Sequence, residues 1–271
     1  MRNRVSFLIA LSWLALIPAL FVSSSAWAID CAHAVKPIEK RICASPSLRS
    51  ADAAMGKAYI AALAAAPDPE LRAVLVRSQR RWIAARNDGL VTDFDNVPLP
   101  VSTLRDAFLD RATVLEDRSR TGLITEAEAE RHFLAKYAKA PYTGIATDCF
   151  FAPDTPGSKI YTYVCTGSLH VQNGNRVCSI DREWATWRLY TYYGVSTVAD
   201  GKTTPAAFCN GRQGDCTGTG SDESGWVAGA ATAGDNFPTP ATGLPRLDAE
   251  GIWPLSDGDI AWFKTCLTSP A

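Results

Sequence analysis

No Cys-x-x-Cys pair occurs among the eight cysteines of this 271-residue chain, and its three histidines, His33, His132 and His170, lie far apart. Zinc and dithiol redox centres draw their ligands from short, clustered spacings, so neither is read here. Also missing are a Gly-x-Ser-x-Gly elbow, a His-Glu-x-x-His pair and a Gly-rich phosphate loop. Their absence leaves no signature of a serine hydrolase, a zinc protease or a nucleotide-binding loop. Basic charge is in no excess, since 27 Lys and Arg face 28 Asp and Glu. The electrostatic footprint of a nucleic-acid binder is therefore absent. These patterns single out no catalytic residue, no cofactor and no metal ligand.

What the chain does have begins at its N-terminus. Arg2 and Arg4 precede an apolar run over 5–22, which ends in Ser23-Ser24-Ser25-Ala26-Trp27-Ala28. A charged start, an apolar middle and an Ala-x-Ala end form an export signal, with cleavage expected after Ala28. Ser12 and Pro18 interrupt the run, which speaks against a retained membrane anchor. Asp30 before Cys31 is not the small residue that lipid attachment needs. Cys31, Cys43, Cys149, Cys165, Cys178, Cys209, Cys216 and Cys266 all follow the signal, and their number is even. In an oxidising compartment that composition reads as four disulfides. A periplasmic or secreted protein, with no membrane span once the signal is removed, is expected.

Behind a signal over residues 1–28, the expected organisation is a helical domain over 29–120, a helical linker over 121–140 and a β-rich domain over 141–271. The fold class is α+β: a small disulfide-stapled antiparallel helical bundle followed by a disulfide-rich antiparallel β domain. Charge divides unevenly: residues 29–140 hold 17 basic against 15 acidic side chains, net +2, and 141–271 hold 8 against 13, net −5. An acidic second half suits a cationic partner and also keeps a surface soluble.

A first short helix is expected over 36–42 with Pro37 in its first turn, where the missing N–H costs nothing. Ser45 caps a second helix starting at Pro46, whose Leu48, Ala51, Met55, Tyr59 and Ala62 mark one buried face. Pro67-Asp68-Pro69-Glu70 ends it and caps a third, with Leu71, Val74, Leu75, Ser78, Trp82 and Ala85 in its stripe. A fourth helix follows Ser102, and Thr125-Glu126-Ala127-Glu128 reads as a capping box leading to Phe133 and Tyr137.

The order Asp30-Cys31, Ala34, Pro37, Glu39, Ile42-Cys43, Leu48, Asp52, Tyr59, Gln79, Trp82 and Arg86-Asn87-Asp88 resembles the N-terminal domain of the LprI-type lysozyme-inhibitor family, over about residues 30–118. In that family a cysteine follows the Arg-Asp turn and bonds another at the start of the next helix. Here those places hold Gly89 and a residue near 102–104, neither of them cysteine. The resemblance therefore implies one bridge in this domain, Cys31–Cys43, worth about 3 kcal/mol for a loop of this size. It also implies a protein that binds lysozyme-like cell-wall hydrolases and blocks them without chemistry of its own. Within the motif, Trp82 and Tyr59 read as core, and Glu39 with Arg86 as an ion pair between the first and third helices. Asp52 reads as a partner for a backbone turn or an arginine. The motif is a fold signature, not an active site.

From Tyr142 onward, alternation replaces the helical period. Residues 159–165 and 167–172 read as strand, and Asn173-Gly174-Asn175 is a hairpin signal before 176–180. Residues 183–193 form one aromatic, β-branched run, read as a single strand that continues to a turn at Asp200-Gly201. Cys209 to Pro240 reads as loop, and 251–253 and 260–266 as a return to the sheet. Six cysteines allow fifteen connectivities; proximity favours Cys209–Cys216, and a late strand closing on the first favours Cys165–Cys266 and leaves Cys149–Cys178.

An inhibitor of this type presents a rigid loop with hydrogen-bond donors to an acidic cleft. The candidate loops are Asn173–Asn175 with Arg176, and 221–224 with Ser224; Trp187 belongs to the aromatic run as a candidate binding platform. Asp215 begins a partial calcium loop, but its twelfth position is Trp226 and not the required Glu, so an EF-hand is excluded and only a looser site remains as an expectation. Asp181 and Glu183 lie on one strand face, the minimum an envelope glycan-acting enzyme needs. In that competing reading the helical domain is an accessory module. A third class is an envelope structural or adhesion protein.

Overall fold

A computed structural model describes residues 29–93, 96–137, 140–211, 216, 225–229, 239–252 and 254–268. The expected export signal, the acidic loop at Asp215 and Ser224 lie outside those residues. Helices α1 (Pro37–Ala44), α2 (Pro46–Ala65), α3 (Pro69–Gly89), α4 (Val101–Glu116) and α5 (Leu123–Leu134) come first. Strands β1 (Gly144–Pro153), β2 (Tyr161–Asn173), β3 (Arg176–Ala185), β4 (Arg188–Ala199), β5 (Lys202–Asn210) and β6 (Trp226–Ala228) follow, and α6 (Asp257–Thr268) ends the described chain. The strands form one antiparallel meander in the order β1-β2-β3-β4-β5-β6. The fold is thus α+β with four disulfides, as the composition indicated. No helix among the described residues is long and apolar enough to cross a membrane.

Local chemistry explains the helix starts. Pro37, Pro46 and Pro69 each occupy the first helical position. Ser45 Oγ accepts the Leu48 N–H at 3.4 Å, and Asp68 Oδ1 accepts the Leu71 N–H at 3.0 Å. Two starts differ from expectation. Helix α4 begins at Val101 behind Pro100, not after Ser102. Helix α5 begins at Leu123, so Thr125–Glu128 is first turn and no capping box forms; Glu126 faces inward and accepts the N–H of Glu250 at 2.8 Å.

The β half departs further. The two segments read at 159–172 are one strand, β2, and its two-residue turn at Gly174-Asn175 falls where the sequence signalled it. The aromatic run over 183–193 is not one strand. It folds back at Thr186-Trp187, whose φ values are 49° and 58°. A primed hairpin turn needs positive φ at both positions and normally takes Asn or Gly; Thr and Trp give no such signal. Residues 260–266 are helix α6, not strand. Asp259, Trp262, Phe263, Cys266 and Leu267 are its buried residues, a three- and four-residue spacing that was legible in the sequence. Ser256 and Asp259 cap it reciprocally, each side chain accepting the other's N–H at 3.0 Å.

The pairing of the C-terminal cysteines also differs. Cys149 bonds Cys165 across the β1–β2 ladder, and Cys178 of β3 bonds Cys266 of α6. The late segment that was read as a strand closing on Cys165 is a helix closing on Cys178 instead. Cys31–Cys43 and Cys209–Cys216 complete the set.

One hydrophobic core runs through both halves. Ile145, Leu169, Ile180 and Tyr193 lie side by side across the sheet's inner face. Trp82 of α3, 1 % exposed, sets its ring edge-on to Phe108 of α4 at 5.2 Å and to Phe151 of β1 at 6.2 Å. The close seat of β1 depends on Gly89, where an added Cβ would come within 3.1 Å of the Phe151 Cβ. A methyl at Gly89 requires the Phe151 Cβ to give way by a few tenths of an ångström. Gly89→Ala is expected to destabilise the protein by about 1–3 kcal/mol through overpacking, read as a lower urea midpoint at unchanged slope.

Candidate functional site

The motif residues of the helical half hold structure together. Glu39 Oε2 accepts the N–H groups of Val35 and Lys36, each at 3.0 Å, and caps α1 rather than pairing with Arg86. The Lys36 N–H and the other bonds to its carboxylate hold Glu39 below the usual range. Arg86, 4 % exposed, places its guanidinium 5.7 Å from the Trp82 and Phe108 rings and donates to Asn87 Oδ1. Tyr59 is buried in the bundle. Asp52 is buried on α2 and accepts the backbone N–H of Ile29 at 2.7 Å. Gln79 accepts from Arg111 Nε at 3.0 Å and joins α3 to α4. None of these groups faces a cavity with a reacting partner, apart from Trp82 in the cleft described below.

Where the helices meet the segment 247–250, a polar cluster lies inside the core. Asp248 receives Arg81 through both oxygens, at 2.7 and 3.0 Å, and Arg111 donates to Glu250, Gln79 and Ser78. Glu130 and Glu126 of α5 accept the backbone N–H groups of Asp248 and Glu250 at 3.1 and 2.8 Å. Burial, against the opposing effect of these bonds, pushes the Glu126 carboxyl up to about 8 and the Glu130 carboxyl up to about 9. Both groups are raised, so their contribution to stability is complete below pH 4.5 and is lost as pH rises through 8 and 9. The double change Glu126→Gln and Glu130→Gln keeps both acceptors, and it is expected to flatten the fall in urea midpoint between pH 5 and pH 9. An unchanged slope would contradict the assignment.

The candidate partner-binding residues do not converge. Arg176 starts β3, whereas Trp187 lies in the turn beyond its other end, about 30 Å away at strand rise. Trp187 is 44 % exposed at that tip beside exposed Leu189, while Tyr192 and Tyr193 of the same run are committed inward on opposite faces. Of the run, Trp187 and the half-buried Trp184 share one concave surface with Phe150.

The Asn173–Arg176 turn is the better-prepared element. Gly174 takes φ +59°, with open space around it. The Asn173 side chain donates to the Leu267 carbonyl, and the Gln172 side chain donates to the Gly174 carbonyl, each at 2.8 Å. Val198 N–H donates to the Asn175 carbonyl at 2.6 Å. The Cys178–Cys266 bridge anchors the strand two residues beyond Arg176. A turn fixed on three sides loses little entropy on binding.

Two concave surfaces were not foreseen. Between α4 and β2 lies a cleft of about 370 Å³, with Trp82, Phe151 and Tyr163 on its buried side and Asp106 and Asp110 exposed at its mouth. Burial and then the Asp106 charge raise the Asp110 carboxyl. The Asp106/Asp110 spacing of four on one helix was its only sequence signal. On the outer sheet face, Asp148, Asp181 and Glu183 line a groove of about 400 Å³. There Ser168 Oγ donates to Asp181 at 2.8 Å and the Tyr192 hydroxyl donates to Glu183 at 2.9 Å. Burial, reinforced by Glu183, raises Asp181. Cys149, Cys165 and Glu250 also come together, but the two sulfurs are bonded to each other and offer no thiolate.

No curated protein and no solved structure matches the chain. Residues 31–112, which run from the first bridged cysteine through most of α4, match the model of the family described as lysozyme inhibitor LprI, so the helical part of this chain is similar to that family.

Proposed function

We propose that this is an exported binding protein of the lysozyme-inhibitor type, which blocks a lysozyme-like cell-wall hydrolase by forming a complex and performs no catalysis. The match of residues 31–112 to the inhibitor family carries the reading. The four disulfides fit an oxidising compartment outside the cytoplasm. The inhibitory element in this reading is the Asn173–Arg176 turn, whose bonded base suits insertion into a carboxylate-lined cleft. The acidic mouth at Asp106 and Asp110 suits a cationic rim on the partner. Replacing Asn173 and Arg176 together by alanine is expected to weaken inhibition at least tenfold, measured as the protein concentration that halves peptidoglycan clearing by lysozyme. Equal potency of parent and variant would remove the turn from the interface.

A glycan-acting enzyme is the second reading, favoured by one observation: Asp181 and Glu183 share a groove, and Asp181 is raised. Release of soluble label from labelled peptidoglycan by the protein alone, abolished by Asp181→Asn, would support it over inhibition.

A further inference from the structure

Asp52 is 2 % exposed in α2, and its Oδ2 accepts one backbone N–H, that of Ile29. The charge that offsets it, on Arg86 of α3, acts without contact, since the guanidinium is held over Trp82 and Phe108 and is bonded to Asn87. Glu39 of α1 shares the field of that same arginine. A buried carboxylate served by a single neutral donor is a costly arrangement, and an opposite charge at hydrogen-bond distance relieves it. The donor nitrogen belongs to the residue immediately after Ala28, the last residue of the Ala-x-Ala sequence.

We propose that cleavage after Ala28 converts this hydrogen bond into a buried ion pair, in which Asp52 binds the new α-ammonium of Ile29. An export endopeptidase adds water across the Ala28–Ile29 peptide bond. The water oxygen joins the Ala28 acyl carbon as a carboxylate, and the two water protons complete the ammonium on the Ile29 nitrogen. That nitrogen already lies 2.7 Å from Asp52 Oδ2, so no rearrangement is needed. The following residues are fixed as well. Asp30 Oδ1 accepts the Ala32 N–H at 3.0 Å, and the Cys31–Cys43 bridge ties the terminus to α1. The consequence is a helical half that gains stability when the signal is removed. Before cleavage the chain continues from the same nitrogen without a charge, and Asp52 has only the Arg86 charge acting from a distance. Asp52, read from sequence as a partner for a backbone turn or an arginine, becomes the receptor for the mature N-terminus.

The inference rests on the export reading but not on lysozyme inhibition, so either can fail alone. The test uses the exported, oxidised protein, with N-terminal sequencing and intact mass, and a variant with one Gly inserted between Ala28 and Ile29. The expected N-terminus is Ile29. The inserted residue displaces the ammonium and is expected to raise the unfolding equilibrium constant at least tenfold. In an Asp52→Asn background the same insertion is expected to change it less than twofold. Acylation of the α-amine at pH 7 is expected to be at least tenfold slower in the parent than in Asp52→Asn. A terminus other than Ile29, an equal effect of the insertion in both backgrounds, or equal acylation rates would overturn the proposal.

Discussion

Replacing Asp248 by alanine is expected to destabilise the protein by about 3 kcal/mol, the cost of taking its two-oxygen partner from the part-buried Arg81. Asp248 is 3 % exposed and binds Arg81 through both oxygens, and Arg77 Nε lies 3.7 Å away. Its removal leaves Arg81 with the Ala249 carbonyl at 2.8 Å and Glu250 at 3.6 Å. Asp248→Asn keeps an acceptor and loses only the charge, so its loss is expected to be smaller. Urea unfolding monitored by tryptophan fluorescence reads both. These bonds tie 247–250 to the helices, and two residues earlier the Pro245 carbonyl accepts the Ile145 N–H of β1 at 2.8 Å, so the alanine variant is also expected to lose protection from amide exchange in α5 and β1 together. A loss confined to one half would contradict a shared core.

Opening the Cys178–Cys266 bridge is expected to cost about 4–5 kcal/mol in the chain-entropy model, because it closes a separation of 88 residues. The Cys209–Cys216 bridge spans only 7 residues, and its paired serine variant is expected to lose about 2 kcal/mol. The long bridge has a second role. It holds α6 on β3, and α6 supplies the Leu267 carbonyl that fixes the Asn173 side chain. The Cys178→Ser, Cys266→Ser protein is therefore expected to lose inhibitory potency along with stability, whereas the Cys209→Ser, Cys216→Ser protein is expected to keep its potency. Urea midpoints and inhibition curves measured on the parent and these two variants separate the two effects.

The helical half was readable because its signals are local. Proline at the first position, Ser45 and Asp68 as caps and a three- to four-residue stripe through Trp82 depend on near neighbours, and they fixed α1 to α3 within a few residues. The hairpins at Gly174-Asn175 and Asp200-Gly201 were readable for the same reason. What failed depended on distant contacts or on strained backbone. Thr186-Trp187 adopts a turn that neither residue favours, so a hairpin looked like one strand. The capping box at Ser256–Asp259 marks a helix start, and without it the apolar residues over 260–266 pass for a strand. Once α6 was missed, the cysteine pairing that depends on it followed wrongly. The candidate site suffered most. Arg176 with its hairpin loop and Trp187 with the aromatic run are separate candidates in the sequence, and the sheet holds them at opposite ends of β3. The cleft beside α4 is made by β2 crossing a helix distant in sequence, and no local pattern reports that meeting.

The most direct test of the inhibitor reading is a titration of lysozyme on peptidoglycan with the exported, oxidised protein. The account predicts a clearing rate that falls linearly and reaches its floor near one equivalent, with no soluble product when the protein acts alone. Full lysozyme activity at a tenfold excess of the protein would contradict it.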